Sequence, residues 1–209
     1  MKSVIAMLLL VNLLGVFTYA QLGKNTSPQV SITIDDIDIN FNDTPKLTLD
    51  QRNVAILDAL RRHGKLKAAL FVCGMRVDYE QGRKHLLDWD NAKHIIANHS
   101  YSHFYYPGVE FDKFSQDILR GEKVISDLKH FRKLFRFPYL KEGNMLEKRD
   151  KIRSFLKENS YRMGYVTIDT SEWAIDARLR KRLNKEPNAD LTNYRNFYLE
   201  HYLGASCIL

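Results

Sequence analysis

Cysteine is nearly absent from this chain: Cys73 and Cys207 are the two in 209 residues. One pair at most excludes a disulfide scaffold. Proline (5) and glycine (10) are also sparse, which excludes collagen-like and low-complexity architectures. There is no run of five or more basic residues. The formal charge of +7, from 32 Lys+Arg against 25 Asp+Glu, therefore reads as a solvated basic surface and not as a nucleic-acid-binding arm. Three catalytic signatures are missing as well. Without a Gly-x-Ser-x-Gly elbow, a His-Glu-x-x-His pair or a phosphate-binding loop, the commonest serine hydrolase, zinc protease and nucleotide hydrolase patterns do not apply. What is present, 44% hydrophobic and 27% charged residues, is the composition of one globular domain.

Long apolar runs are confined to the first twenty residues. Lys2 precedes an almost wholly apolar stretch from Val4 to Phe17, and Thr18-Tyr19-Ala20 follows with the small residues of a cleavage site. This is the pattern of a secretory leader, shorter than the roughly 18 to 20 residues of a membrane span. Residues 1–20 are expected to be removed. The exported chain would then begin near Gln21, secreted or held in the cell envelope or periplasm, without a membrane anchor. Cys73 ends an apolar run and is expected to be buried, not paired. Cys207-Ile208-Leu209 is one residue short of a prenylation box. Asn25, Asn42 and Asn98 open glycosylation sequons, which matter only in a eukaryotic host.

Past the leader, short apolar runs alternate with amphipathic stretches. Strands are predicted at 30–34, 66–72, 94–97, 134–137 and 165–168. Helices are predicted at 49–63, 111–131, 148–159 and about 190–203. Val54, Leu57 and Leu60 space one helical face, with Gly64 as a stop. Phe111, Phe114, Ile118, Ile125 and Leu128 space another. This alternation predicts an α/β fold with a parallel sheet covered by helices, either an open doubly wound sheet or a barrel.

In both architectures functional groups gather at the carboxyl ends of the strands. Asp35 and Asp36 follow the first strand, and His99 and His103 follow the third. Arg136, Pro138 and Tyr139 lie at the fourth, with Asp169, Glu172 and Trp173 after the fifth. Two imidazoles and a carboxylate are the ligand set of an open catalytic metal site. A spacing of four can aim both imidazoles the same way if the segment turns helically after His99. Adjacent acids at the end of an apolar strand face a desolvation cost unless a cation or hydrogen-bond donors satisfy them. Taken singly, each element has a plain structural reading as a solvated turn, a loop histidine, a strand exit or a core tryptophan.

Together and in order, Thr33-Ile34-Asp35-Asp36, His99-Ser100-Tyr101-Ser102-His103, Arg136-Phe137-Pro138-Tyr139 and Asp169-Thr170-Ser171-Glu172-Trp173 resemble the polysaccharide deacetylases of carbohydrate esterase family 4, which share the NodB homology domain. The resemblance covers roughly residues 28–175, within a domain expected to run from 28 to 203 before a short tail at 204–209. It implies a deformed (β/α) barrel that removes N-acetyl groups from sugar polymers with a divalent metal, usually zinc, though cobalt(II) and iron(II) suit the same donors. Carried over by position, Asp35 is the general base, and Asp36, His99 and His103 hold the metal. Arg136 orients Asp35, the Tyr139 amide helps to form an oxyanion hole, and Trp173 walls the sugar subsite. Glu172 supports the site where the family usually has Asp.

The family's fifth motif, Leu-x-His on the last strand, is missing. The one later histidine, His201, falls in a predicted helix facing solvent. The barrel is accordingly expected without its final β/α unit or units. Two further readings stay open. One is a zinc- or glycan-binding relative that turns over poorly. The other is a basic secreted protein that binds anionic polymers by charge alone. The expected partner is an N-acetylated glycan, with no nucleic acid.

Overall fold

The computed structural model describes residues 30–37 and 43–206. The expected leader, the sequons at Asn25 and Asn42, and Cys207 lie outside the described residues. Five strands form one sheet: β1 (Ile32–Asp35), β2 (Ala68–Val72), β3 (Ile95–Asn98), β4 (Phe131–Phe135) and β5 (Arg162–Met163). All four pairings are parallel, and the spatial order β1-β2-β3-β4-β5 is the chain order. Helices α1 (Leu49–Arg62), α2 (Glu80–Asn91), α3 (Phe111–Ile125) and α4 (Leu146–Glu158) occupy the four crossovers, and α5 (Glu172–Lys185) and α6 (Thr192–Ser206) follow β5. A doubly wound sheet reverses its strand order at a switch point, whereas a barrel winds one way throughout. The order here selects the barrel-type arc.

Strand alternation then decides what faces the interior. Ile32, Ile34, Ala68, Leu70, Val72 and Ile96 pack beneath the helices with Leu57, Leu60, Leu86, Trp89 and Ile125. The residues between them, Ala69, Phe71, Ala97 and Leu134, form a separate cluster on the opposite face. That phase puts Thr33 and Asp35 on the inner side, along with His99 after Ala97 and Arg136 after Leu134.

Several predicted elements shift for identifiable reasons. Helix α1 starts on a capping box, with Thr48 Oγ1 accepting from Gln51 N and Gln51 Oε1 accepting from Thr48 N. Its inward stripe is Leu49, Asn53, Leu57 and Leu60, while Val54 is exposed. Asn53 belongs inside because its Oδ1 accepts the hydrogen of the buried Trp89 indole at 2.8 Å. Helix α2 escaped prediction because its buried face carries polar residues, His85 and Asp90, beside Leu86 and Trp89. Helix α3 ends at Ile125, short of the predicted Phe131, which opens β4 instead. The fourth strand therefore begins before its predicted 134–137, and Arg136 lies just past its end. The predicted fifth strand at 165–168 is irregular; the pairing is made by Arg162–Met163. Helix α5 was not predicted, and α6 runs to Ser206, past the predicted 203.

Asp90 fixes the turn into β4. Its carboxylate accepts from the amides of Lys129 (3.2 Å) and His130 (2.8 Å), and lies 2.9 Å from the His130 ring. Burial alone would raise the Asp90 carboxyl, but these hydrogen bonds outweigh it and hold it below the ordinary 3.8. On acidification the unfolded chain then takes the proton first. The stabilisation is fully present above pH 3.8 and is lost as pH falls through the depressed folded value. Asp90→Asn is expected to cost about 1 to 3 kcal/mol in urea denaturation at pH 7. The gap to wild type should narrow below pH 4, and a gap constant with pH would refute the ionic role.

Gly121 lets α3 approach the segment after β3. A Cβ built there would lie 2.7 Å from the Ser100 carbonyl carbon and 2.9 Å from Asn98 Oδ1. Gly121→Ala is expected to destabilise by about 1 to 3 kcal/mol through overpacking, despite alanine's better helix propensity. A raised denaturation midpoint would show that the helix backs away freely.

Candidate active site

The candidate site forms where β1, β3 and β4 end. Asp35 closes β1, and its Oδ1 lies 2.5 Å from Arg136 Nη1. Arg136 is buried, and each of its three guanidinium nitrogens is engaged. It donates to Thr33 Oγ1 (2.9 Å), to the Gly164 carbonyl (2.8 Å) and to the Tyr165 carbonyl (3.4 Å), and its guanidinium lies over the Phe71 ring at 3.9 Å. Gly164 permits this stack, since a Cβ there would come within 2.3 Å of the Phe71 ring.

Asp36 leaves the strand in a left-handed conformation (φ 54°), so the alternation breaks and its carboxylate joins the histidines. Asp36 Oδ2 lies 3.1 Å from His103 Nε2 and 3.8 Å from His99 Nε2. Asp36 Oδ1 is buried with no hydrogen-bond partner. Burial would raise this carboxyl, but the hydrogen bond with His103 and the charges of His99, His103 and Arg76 together hold it below its ordinary value. His99 is buried, and Nδ1 lies 2.8 Å from the Arg136 carbonyl. The carbonyl accepts from Nδ1–H, which leaves the Nε2 lone pair facing both carboxylates. Burial pushes the His99 pKa down, against the opposing pull of Asp36 and Asp35, which favours the neutral, ligating form.

The segment after His99 does not turn helically. Left-handed residues at Ser100 (φ 67°) and His103 (φ 55°) fold a loop that brings the two rings to 5.1 Å. Side chains absent from the sequence reading hold this loop. Asp117 Oδ2 accepts from the amides of Tyr101 (3.1 Å) and Ser102 (2.9 Å), and Asn98 Oδ1 accepts from Ser100 N (2.8 Å). Asp117 stands on α3 one residue before Ile118 of the apolar stripe, and an acid beside a buried stripe was the available signal. Asn98 Nδ2 donates to the Ile118 carbonyl (2.9 Å) and the Tyr161 hydroxyl (2.7 Å). Buried and fully engaged, it is no glycan acceptor in the folded chain, although its sequon matches.

Tyr139 follows Pro138 with φ 57°, its side chain exposed and its ring 4.7 Å from that of His103. The neighbouring amides of Leu140 and Lys141 are taken by the carbonyls of Phe137 and Pro138. Glu172 and Trp173 open α5. Trp173 is 68% exposed and Glu172 Oε2 lies 3.4 Å from Thr170 Oγ1, but among the described residues no hydrogen bond, ion pair or ring contact joins either to the Asp35–His103 cluster. His201 lies on α6 as predicted, yet its ring does not simply face solvent: Nε2 is 2.7 Å from the Thr170 carbonyl and the ring stacks on Phe197 at 5.8 Å. It tethers α6 to the segment that leads into α5.

Asp36, His99 and His103 offer three ligand atoms within 4.8 Å of one another. A carboxylate with one buried, unpartnered oxygen and the other facing two imidazoles suits a divalent cation. Fold and site together define a (β/α)-barrel-type protein with a candidate metal centre at the carboxyl ends of its strands. A model of the polysaccharide deacetylase family matches residues 23–164, more than half of the sequence, and the chain belongs to that family.

Peptidoglycan-N-acetylglucosamine deacetylase of Bacillus cereus is 29% identical over 160 residues, 75% of this chain and 50% of that protein. This chain thus spans about half the length of the curated relative it matches. Two solved structures share the fold. A peptidoglycan N-acetylglucosamine deacetylase in complex with 4-naphthalen-1-yl-N-oxidanyl-benzamide gives a TM-score of 0.55 at 24% identity, over 70% of this chain and 60% of that one. A family 4 carbohydrate esterase from Streptomyces lividans in complex with acetate gives 0.54 at 24% identity, over 72% and 70%.

Cys73 adjoins the site. It is buried, as the sequence implied, and its Sγ donates to the Tyr101 carbonyl at 3.0 Å. Burial, reinforced by the charge of Asp36, pushes the thiol pKa up to about 12. Thiolate is the reactive form. Cys73 is expected to resist alkylation by iodoacetamide at pH 8 until the chain is unfolded, as read by mass spectrometry of its peptide. Rapid native labelling would contradict the geometry.

Proposed function

We propose that this chain is a divalent-metal-dependent hydrolase that removes N-acetyl groups from an N-acetylated polysaccharide or oligosaccharide. Water cleaves the C–N amide bond and leaves an amine and acetate. One observation carries the reading: the Asp36 carboxylate, one oxygen (Oδ1) buried without a partner and the other (Oδ2) facing the His99 and His103 imidazoles, shares His99 Nε2 with Asp35, a second carboxylate clamped by a buried guanidinium. The family and the glycan-directed activity in the relative's name support it. Zinc is the ion we assign first, with cobalt(II) and iron(II) as alternatives for the same donors. We place the reaction outside the cytoplasm on the leader-like pattern of residues 1–20.

A cation held by Asp36, His99 and His103 would lower the pKa of a coordinated water from about 15.7 towards 7 and polarise the amide oxygen. Asp35 acts as general base. Arg136 holds its Oδ1, leaving Oδ2, 3.9 Å from His99 Nε2, to take the proton from the attacking water. The Tyr139 N–H donates to the oxygen that gains charge in the tetrahedral adduct, a role typically worth about 3 to 4 kcal/mol. When the adduct collapses, the proton on Asp35 returns to the departing amine nitrogen. His201, engaged with Thr170, takes no part. Trp173, exposed at the start of α5, offers its indole to a sugar ring, with Glu172 supporting that turn.

The test pairs metal content with acetate release from N-acetylglucosamine oligomers, for wild type and His103→Ala, before and after chelation. Wild type is expected to hold about one zinc per chain. It should release acetate, lose that activity to chelator and regain it with zinc, while His103→Ala binds little metal and is inactive. A folded wild type that binds no metal overturns the proposal. Metal and glycan binding without acetate would assign the binding-only alternative.

A further inference from the structure

The loop that follows His103 carries three consecutive aromatic residues with different tasks. Tyr106 is fully buried, stacked on Phe114 at 4.4 Å, and its hydroxyl donates to the Lys148 carbonyl at 3.0 Å. Lys148 Nζ returns hydrogen bonds to the carbonyls of Pro107 (3.3 Å) and Val109 (2.6 Å). Phe104 is capped by the Lys113 ammonium, 4.5 Å from its ring centre. Tyr105 is thus held on both sides, yet it is itself 50% exposed and belongs to none of the buried clusters. Its ring stands edge-on to Tyr139 at 5.6 Å and 83°, and the Tyr139 ring in turn lies 4.7 Å from His103.

A row of rings therefore leads from the candidate metal ligand outward, His103 to Tyr139 to Tyr105, and the outer two are more than half or half exposed. Fixed tyrosines offer large contact area at low entropic cost, an apolar body beside a polar tip. A pyranose is the complementary shape, with a face of C–H bonds and a hydroxyl rim. We propose that Tyr105 and Tyr139 form a stacking platform for the sugar ring next to the one whose acetamide reaches Asp35 and Asp36. Tyr105 thereby sets a preference for oligomeric over single-ring substrates, an inference that rests on the deacetylase reading.

The experiment measures acetate release from N-acetylglucosamine oligomers of one, two, four and six rings, with zinc-loaded wild type, Tyr105→Ala and Tyr105→Phe. In parallel, binding of the six-ring oligomer to the zinc-free proteins is measured by calorimetry. Wild-type KM is expected to fall with length. Tyr105→Ala should raise KM for four and six rings about tenfold, the size of one aromatic contact, and flatten that dependence. Tyr105→Phe should restore it, because stacking does not need the hydroxyl. A fall in kcat that is equal at all lengths would mean that Tyr105 acts only through the Tyr139 backbone, and it would overturn the platform. So would a length profile unchanged in Tyr105→Ala. If wild type releases no acetate, the deacetylase reading fails separately and the binding series still decides. Weaker six-ring binding by Tyr105→Ala supports the platform; equal binding, or none by wild type, overturns it.

Discussion

A guanidinium out of water is the constraint on which this structure turns. Moving a charge into a protein interior costs several kcal/mol unless every donor is met. Arg136 meets that cost with Asp35 and Thr33 from β1, the Phe71 face from β2, and carbonyls from the segment after β5. Its own carbonyl accepts from His99 after β3. One residue thus commits all five strands to a single relative placement. The same contacts that satisfy it aim a carboxylate and an imidazole into the opening, so stability and site geometry share their interactions.

Local backbone strain is concentrated around that opening. Asp36, Ser100, His103, Tyr139 and Leu140 all have positive φ, although none is glycine. Such conformations cost of order 1 kcal/mol each and persist only where surrounding contacts over-determine them. Here the contacts are visible: Asn98 and Asp117 hold the histidine loop, and Gly121 lets α3 close against it. The regular sheet carries the clusters, and these short irregular turns redirect the functional side chains away from simple alternation.

The sheet and the chemistry-bearing residues were legible in the sequence to different depths. Ala68–Val72, apolar throughout, reads as a strand buried on both faces, and the Phe114–Ile118–Ile125 spacing reads as a helix. Helix α2 did not, because His85 and Asp90 occupy its inner face for hydrogen bonding, which apolar periodicity cannot register. Asp35, Asp36, His99, His103 and Arg136 were recognisable by order along the chain, and the structure brings these five together. Their mode of assembly was not readable, since left-handed turns and the Asp117 contact depend on tertiary packing. Glu172 and Trp173 were marked by the same pattern, yet among the described residues no side-chain contact links them to the cluster.

The Asp35–Arg136 pair spans 101 positions of sequence, while each strand pairs with its immediate successor. Neighbouring β/α units can close one after another at modest loop entropy, but this pair must wait until the arc is nearly complete. A nascent or partly folded chain therefore lacks the Asp35–Arg136 ion pair, and the candidate site is not assembled until the arc is built. Loss of an interaction made after the folding transition state quickens opening of the native molecule more than it slows folding.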